Sequence, residues 1–280
     1  MSSRLGAALS VIDQWPVATS AIGVIGRDGL IEAHGDTDHE FWLASVTKPL
    51  AVLAMLVAVE EEAVELSQPA HPQLLPGATL RHLLSHASGV APERHLRSFP
   101  PGVRRVYSNV GIELAGELVE AAVEMPFASY MDEALIQPLG LTHTELRGSA
   151  ARDGWSSVAD LAVVMHRLIA AREAPDFVQP ATVYDAATVQ YPGLRGVLPG
   201  FGGQDPNDWG LGFEIRGDKH PHWTGARNSP ATFGHFGQSG TAMWIDPAVG
   251  IGLVALTDRN FDDWARAAWP AVADAVLAAL

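Results

Sequence analysis

The most constraining feature of this sequence is a serine one helical turn before a lysine, at the start of a long apolar run. Ser45 and Lys48 lead into residues 49–59, all of which are apolar. Side chains three positions apart on a helix are neighbours, roughly 5–6 Å apart at Cβ. A helix that begins at Ser45 therefore places the hydroxyl and the amine on one face. Its apolar length predicts a buried helix at the centre of the fold.

This pair of residues has the chemistry of a nucleophile and its base. Serine is a poor nucleophile unless an adjacent base takes its proton. A buried lysine can be that base because desolvation lowers its pKa, whereas arginine stays charged. The chain has sixteen arginines and only two lysines, Lys48 and Lys219. The structural alternative is a serine near a helix N-terminus followed by a lysine whose ammonium reaches solvent.

Composition limits the class of protein. A chain of 280 residues with 48% hydrophobic and 18% charged residues is typical of a globular protein. Its net charge of −14 argues against nucleic acid as a partner, since nucleic acids favour clustered Lys and Arg. The absence of cysteine excludes disulfides and thiolate metal sites. His82 and His86 have the spacing of zinc ligands but lack the glutamate of H-E-x-x-H. We therefore expect no metal and no cofactor.

No segment predicts export or membrane insertion. Residues 5–12 form a short apolar patch behind one arginine, which Asp13 interrupts without a cleavage pattern. No run approaches the ~18 apolar residues that span a bilayer. We expect a cytoplasmic protein with no membrane span.

Strand patterns lie at both ends of the chain, and helical patterns lie between them. The predicted strands are 17–26, 30–33, 210–216, 232–236, 240–246 and 250–258. The predicted helices are 5–14, 45–62, 80–85, 110–123, 126–136, 157–172 and 262–280, while 175–208 is rich in Pro and Gly without periodicity. This order predicts a mixed α and β fold with one sheet from both chain ends. The sheet subdomain is 1–65 with 209–280, the mainly helical subdomain is 66–208, and the active site lies at their junction.

A second stretch with catalytic residue types is Tyr107-Ser108-Asn109, which follows a Pro-Pro-Gly turn. A tyrosine hydroxyl can relay a proton, and an asparagine amide can orient a lysine or a substrate carbonyl. Standing alone, this stretch would favour the structural alternative, a strand end followed by an asparagine N-cap.

A third stretch, residues 234–241, is a glycine-rich segment before an apolar strand. Glycine within a strand often marks the close approach of a ligand to the backbone, and a backbone N–H there could serve as an oxyanion donor. The structural alternative is a bulged hairpin.

The three stretches, in the order S-x-x-K, Y-x-N and H-x-G, resemble the serine β-lactamase and penicillin-binding-protein family, in particular its class C β-lactamase and family VIII esterase branch. Further segments resemble that branch in the same order, over roughly residues 20 to 260. They are residues 80–89 (its LLxHxSG segment), 101–109 (PG…YSN), 137–141 (xPLGM), 209–212 and 244–247. The fold this implies is β-lactamase/transpeptidase-like, with an antiparallel sheet flanked by helices and a mainly helical subdomain.

The resemblance also implies residue roles. Ser45 would be the acylated nucleophile, and Lys48 and Tyr107 would be the acid/base pair. Asn109 would contact the substrate and Lys48. No metal or cofactor is implied.

Residues 235–238 would complete the site. The backbone N–H groups of Ser45 and Gln238 would form the oxyanion hole, and we assign Gly237 to the same binding region. His235 replaces the cationic lysine of the family's K-T-G strand, and Phe236 replaces a small hydroxyl residue. A histidine is mostly neutral at pH 7.5 and mostly charged at pH 6. We therefore expect neutral esters to be preferred at pH 7.5, and carboxylate-bearing β-lactams to gain as the pH falls.

The sequence predicts a serine hydrolase that cleaves an ester or a β-lactam/amide bond of a small molecule through an acyl-enzyme on Ser45. One alternative is an amidase of the D-amino-acid peptidase type. Another is a non-catalytic binding or regulatory protein on the same scaffold.

Overall fold

The computed structural model describes residues 2–171 and 177–280. The helices are α1 (Ser2–Leu9), α2 (Thr47–Glu60), α3 (Leu80–Leu84), α4 (Asn109–Val123), α5 (Phe127–Met131), α6 (Gln137–Leu139), α7 (Val158–Ala170), α8 (Pro180–Ala186) and α9 (Asp263–Ala279). Short 3₁₀-helices cover Ser10–Gln14 and Ala44–Val46, and a π-helical turn covers Asp132–Ile136. None of the helices in the described ranges combines the length and the apolar character that crossing a bilayer requires.

The strands form one large antiparallel sheet and two small ones. They are β1 (Ser20–Gly26), β2 (Gly29–Gly35), β3 (Phe41–Trp42), β4 (Glu145–Leu146), β5 (Gly154–Ser156), β6 (Gly196–Leu198), β7 (Gly202–Gln204), β8 (Glu214–Ile215), β9 (Phe233–Gly237), β10 (Thr241–Asp246) and β11 (Ile251–Thr257). The large sheet has six strands in the order β2-β1-β11-β10-β9-β8. Both chain ends supply its strands, which confirms the predicted fold class. The division into subdomains 1–65 with 209–280 and 66–208 stays a prediction.

The large sheet is covered on both faces. All residues of β10 and β11 are buried, so these central strands do not show the polar alternation of a half-exposed sheet. Leu253 and Ala255 of β11 belong to the apolar cluster formed with α1 and α9. Val254 and Leu256, which point the other way, belong to the cluster formed with α2 and α7. The two-residue period of the strands therefore distributes one apolar sequence between two cores.

Helix α2 is the buried helix that the apolar run predicts. Its residues from Thr47 to Leu56 are all buried, including Lys48. The helix is preceded by the 3₁₀ turn Ala44–Val46, so Ser45 lies in a tight turn rather than within the α-helix. Pro49 lies in the first turn of α2, where its missing N–H is tolerated.

Two stretches differ from the sequence prediction. The strand predicted over 210–216 is reduced to Glu214–Ile215. Gly212 has φ +75°, and a Cβ there would lie 2.6 Å from the Val52 side chain of α2, so this segment packs against the central helix instead of extending. The stretch 175–208, predicted to lack periodic structure, contains α8 and the hairpin β6–β7. Helix α8 begins at Pro180, and proline is favoured at the first position of a helix.

The packing of Gly212 on α2 gives a first prediction. Gly212→Ala should destabilise the protein through both its positive φ and the collision with Val52, for a loss of about 1–3 kcal/mol. Gly193 is a matched control, because it has φ +82° but no atom within 4 Å of an added Cβ. We expect Gly193→Ala to lose less unfolding free energy in urea denaturation. Equal losses would show that the contact with α2 is not tight.

Candidate active site

The turn that carries Ser45 is held by the β9–β10 connection of the large sheet, at Gly237 and Thr241. Ala44 has φ +45°, a left-handed conformation that a non-glycine residue adopts only when its surroundings enforce it. Thr241 of β10 donates a hydrogen bond of 2.8 Å to the carbonyl of Leu43. A Cβ at Gly237 would lie 2.3 Å from the same carbonyl oxygen. Gly237 is therefore required by the backbone of the nucleophile turn, which β9 and β10 hold in place.

Ser45 is at the centre of a three-residue hydrogen-bond network. Its Oγ accepts hydrogen bonds from the Tyr107 hydroxyl at 2.7 Å and from Lys48 Nζ at 3.0 Å. Lys48 Nζ also donates to the carbonyl of Ala151 at 2.8 Å and lies 4.7 Å from the centre of the Tyr107 ring. The three side chains predicted to carry the chemistry are thus in direct contact.

Burial shifts the pKa values of the two hydrogen-bond partners of Ser45 in opposite directions. Desolvation lowers the pKa of Lys48 to about 7, although the nearby carboxylates of Glu93 and Glu113 oppose the shift. Near neutral pH much of Lys48 is therefore an uncharged amine that can accept the proton of Ser45. Burial raises the pKa of Tyr107, so its hydroxyl stays protonated and donates to Ser45. The geometry supports Lys48 as the base and Tyr107 as the proton donor.

Ser45 opens into a small cavity of about 160 Å³. The cavity is lined by Ser45, Tyr107, Leu198, Pro199, Trp209, Glu214, His235, Phe236 and Gln238. A larger groove of about 640 Å³ lies between α7, α8 and the sheet, but it contains none of the predicted site residues. The smaller cavity is the candidate site, because it holds the nucleophile and its hydrogen-bond partner. Within the described ranges, no three His, Asp or Glu side chains are grouped as ligands for a metal ion.

His235 lies in the cavity wall but is not the pH-dependent cation that the sequence suggested. Its side chain is buried, and Nδ1 lies 2.7 Å from the carbonyl oxygen of Phe236. Burial, reinforced by the charge of Lys48, lowers the pKa of His235 to about 3. The ring is therefore neutral at pH 6 as well as at pH 7.5, and the expected gain of charge on acidification is wrong. No local sequence pattern indicates that the side chain at this strand position is shielded from water.

Asn109 also differs from its expected role. In the described structure, Lys48 Nζ bonds to Ser45 and Ala151 rather than to Asn109. The amide nitrogen of Asn109 donates instead to Glu93 at 2.5 Å. The backbone carbonyl of Ala151 thus takes the place that Asn109 was expected to have beside Lys48. The side-chain amide of Asn109 is bound to the carboxylate of Glu93 instead.

Gln238 lines the same cavity as Ser45. Its backbone carbonyl accepts a hydrogen bond of 2.8 Å from the N–H of Phe261, and its side-chain amide donates to the carbonyl of the same residue at 3.2 Å. These bonds fix the residue at the end of β9. The oxyanion role of the Ser45 and Gln238 N–H groups stays a prediction.

Sequence reasoning missed the buried ionic cluster in the cavity wall. The carboxylate of Glu214 accepts hydrogen bonds from Lys219, from His222 at 2.9 Å and from Trp223 at 2.8 Å. Burial alone would raise the pKa of Glu214, but His222 and Lys219 outweigh it and hold the pKa below its ordinary value. A signal was present: Lys219 is the second of only two lysines, and like Lys48 it is buried.

Comparison with known proteins supports the assignment of the cavity around Ser45 as the candidate active site. The family model described as Beta-lactamase matches residues 1–277. A putative D-alanyl-D-alanine carboxypeptidase of Escherichia coli O157:H7 is 26% identical over 246 residues, which cover 68% of this chain and 54% of that protein. This chain thus spans about half the length of that relative. The esterase EstB of Burkholderia gladioli is 24% identical, with coverage of 99% of this chain and 95% of the esterase.

Solved structures show the same fold over the whole chain. A beta-lactamase from Mycobacterium bovis has a TM-score of 0.93 and 51% sequence identity, and covers 97% of this chain and 98% of its own. EstCE1, a hydrolase with promiscuous acyltransferase activity, has a TM-score of 0.80 at 18% identity, with coverage of 98% and 97%, and shows the fold alone. With the matched family model and the Ser45–Lys48–Tyr107 geometry, these comparisons lead to one conclusion: the chain belongs to the beta-lactamase family.

Proposed function

We propose that this protein is a serine hydrolase that cleaves esters of small, uncharged acyl groups through an acyl-enzyme on Ser45. The observation that carries the proposal is the contact of Ser45 Oγ with a buried Lys48, whose pKa is about 7, at the base of a cavity. A non-catalytic scaffold protein has no need to bury an amine against a serine. The esterase and carboxypeptidase names of the relatives support hydrolysis of an acyl bond.

The first half of the reaction forms the acyl-enzyme. Neutral Lys48 Nζ takes the proton of Ser45 as Oγ bonds to the carbonyl carbon of the ester. The backbone N–H groups of Ser45 and Gln238 would stabilise the negative charge on the carbonyl oxygen. When the ester C–O bond breaks, the leaving oxygen takes a proton from the Tyr107 hydroxyl, and the Lys48 ammonium restores that proton.

The second half releases the acid. A water molecule loses a proton to the Lys48–Tyr107 pair as its oxygen bonds to the acyl carbon. The bond between that carbon and Ser45 Oγ then breaks, and Ser45 regains its proton. The pair therefore acts as base and acid in turn, without net loss of protons.

The cavity wall favours an uncharged acyl group. Its apolar part is formed by Leu198, Pro199, Trp209 and Phe236. His235 is neutral there, and the ionised carboxylate of Glu214 lines the same cavity. A substrate carboxylate would lose its hydration without meeting a cation in this wall, which is unfavourable. Esters therefore fit the site better than carboxylate-bearing β-lactams or peptides.

Labelling tests the identity of the nucleophile. Ser45→Ala should abolish both ester turnover and the covalent adduct with a fluorophosphonate, measured by intact-protein mass spectrometry. The matched control is Ser108→Ala, because Ser108 lies in the same Y-x-N stretch but caps α4, with its Oγ accepting from Gly111 N at 3.0 Å. The control should keep the adduct, although loss of the cap costs about 1 kcal/mol. An adduct in Ser45→Ala would overturn the assignment.

The pH dependence of kcat/KM tests the base. Only neutral Lys48 accepts the proton, so kcat/KM for a neutral ester should rise through pH 7, the pKa set by burial, and level off above it. Lys48→Arg keeps the charge but removes the titrating amine, and should lose at least ~100-fold in kcat. Tyr107→Phe should be similarly damaging, and the two losses should not add, since the residues act as a unit. A flat profile between pH 6 and 8 would contradict the role of Lys48.

Substrate charge gives a further test. Because His235 is neutral throughout, the ratio of kcat/KM for a carboxylate-bearing β-lactam to that for a neutral ester should stay constant between pH 6 and 7.5. His235→Lys introduces a cation at this position, and should raise the ratio about ten-fold, as for a charge-assisted hydrogen bond. A ratio that rises on acidification in the unmodified protein would show that His235 titrates in contact with the substrate.

A further inference from the structure

Helix α3 ends in a turn that proteins usually build with glycine. The N–H of His86 donates to the carbonyl of Leu83 at 3.1 Å. The next N–H along the chain, that of Ala87, donates to the carbonyl of His82 at 2.8 Å. This pair of bonds is the Schellman motif, in which the residue after the helix cap takes a left-handed conformation and is most often glycine. His86 occupies that position here, with φ +56°.

Histidine at this position is unfavourable for two reasons. A residue with a side chain adopts a positive φ only where its surroundings enforce it. His86 is also 1% exposed, and its Nε2 has no hydrogen-bond partner in the described structure. Glycine would remove both costs. Strain of this kind is typical of positions whose side chain has a function.

The contacts of His86 lie around Tyr107. The carbonyl of His86 accepts a hydrogen bond of 2.9 Å from the N–H of Val106. Its Nδ1 accepts a hydrogen bond of 3.3 Å from the N–H of Ser108. The centre of the imidazole ring lies 4.7 Å from that of the Tyr107 ring. His86 therefore holds the backbone on both sides of Tyr107 and packs against the side chain between them.

The hydrogen bond from Ser108 also fixes the tautomer of His86. A backbone N–H can only donate, so Nδ1 is the acceptor and Nε2 carries the ring hydrogen. Burial, reinforced by the charge of Lys48, lowers the pKa of His86 well below its ordinary value. The ring is therefore neutral near pH 7, and the lone pair of Nδ1 stays available to Ser108.

We propose that His86 is a positioning residue for Tyr107, and that its Nδ1 holds the backbone at Ser108 so that the Tyr107 hydroxyl meets Ser45 Oγ. The two oxygens are 2.7 Å apart, and proton transfer depends on keeping this distance. The inference rests on the proposed function, in which Tyr107 protonates the leaving oxygen. His86 does not line the cavity of the described structure, so it acts through Tyr107 rather than on the substrate.

Two esters of one acid report the position of the Tyr107 hydroxyl. The 4-nitrophenolate of 4-nitrophenyl butyrate leaves without a proton, whereas the ethoxide of ethyl butyrate must be protonated as it leaves. The measured quantity is the kcat/KM of the ethyl ester divided by that of the nitrophenyl ester. A smaller folded fraction cancels in this ratio, so a merely structural role would not change it. Tyr107→Phe, which removes the proton donor, should lower the ratio.

His86→Gly and His86→Asn form a matched pair. Glycine and asparagine both accept a positive φ, but only asparagine carries an acceptor, Oδ1, at the place of Nδ1 in the side chain. We expect His86→Gly to lower the ratio about ten-fold or more, and His86→Asn to restore most of it. An unchanged ratio in His86→Gly would overturn the proposal. Equal losses in the two variants would overturn the role of Nδ1.

Glu124→Gly is the control for the backbone conformation. Glu124 ends α4 with the same φ of +56°, and its side chain is exposed. The ratio should be unchanged in this variant. In the double variant of His86→Gly with Tyr107→Phe, the ratio should equal that of Tyr107→Phe alone, because both changes act on one hydroxyl. A further fall would show that His86 acts by another route and would overturn the proposal.

Crystal structures of the variants separate this inference from the proposed function. In His86→Gly the Tyr107 hydroxyl should lie beyond hydrogen-bond distance of Ser45 Oγ, whereas His86→Asn should keep the distance near 2.7 Å. That result supports the positioning role even if the unmodified protein hydrolyses neither ester, which would overturn the proposed function. A distance unchanged in His86→Gly would overturn the positioning role while leaving an observed esterase activity intact.

Discussion

The dehydration of one amine is the constraint on which the rest of this structure depends. Lys48 is an amine in an otherwise apolar, fully covered segment of α2, and burial moves its pKa from 10.5 to about 7. Between these pH values the unfolded chain binds a proton that the folded chain has released. The unfavourable contribution of Lys48 to stability therefore decreases as the pH rises through this window. The apolar core around α2 offsets that contribution, and the amine becomes a base because this core excludes water.

The nucleophile depends on a second constraint, which joins the sheet to the helix. Ser45 follows Ala44 in a left-handed conformation, and such strain persists only where neighbours over-determine it. The neighbours are Thr241, which binds the carbonyl of Leu43, and Gly237, whose missing side chain allows that carbonyl to approach. The H-x-G glycine therefore serves the backbone of the S-x-x-K turn. Two motifs that lie far apart in sequence are one structural unit.

Local patterns in the sequence were sufficient for most of the elements and for the reactive trio, but not for the environment of the cavity. The apolar run after Lys48 predicted α2, and apolar runs bounded by turn residues predicted most strands of the large sheet, because both patterns reflect burial of neighbouring residues. The neutral state of His235 depends on packing by Tyr107 and Trp209, whose rings lie 5.8 and 5.5 Å away. No local pattern encodes such distant contacts. The pairing of Asn109 with Glu93 has the same origin.

The two lysines of this arginine-rich chain both lie at buried positions where an arginine could not take their place. An ammonium is compact and carries three donors, so Lys219 can bind Glu214 and two backbone carbonyls at once, where a planar guanidinium would need more room. One of those carbonyls, at 2.9 Å, belongs to Asp208, the residue before Trp209. Trp223, held by Glu214, packs 5.7 Å from the ring of Phe236. Lys219 therefore binds the backbone next to Trp209 and the carboxylate that holds Trp223, while Lys48 sets the chemistry of the serine that opens into the cavity.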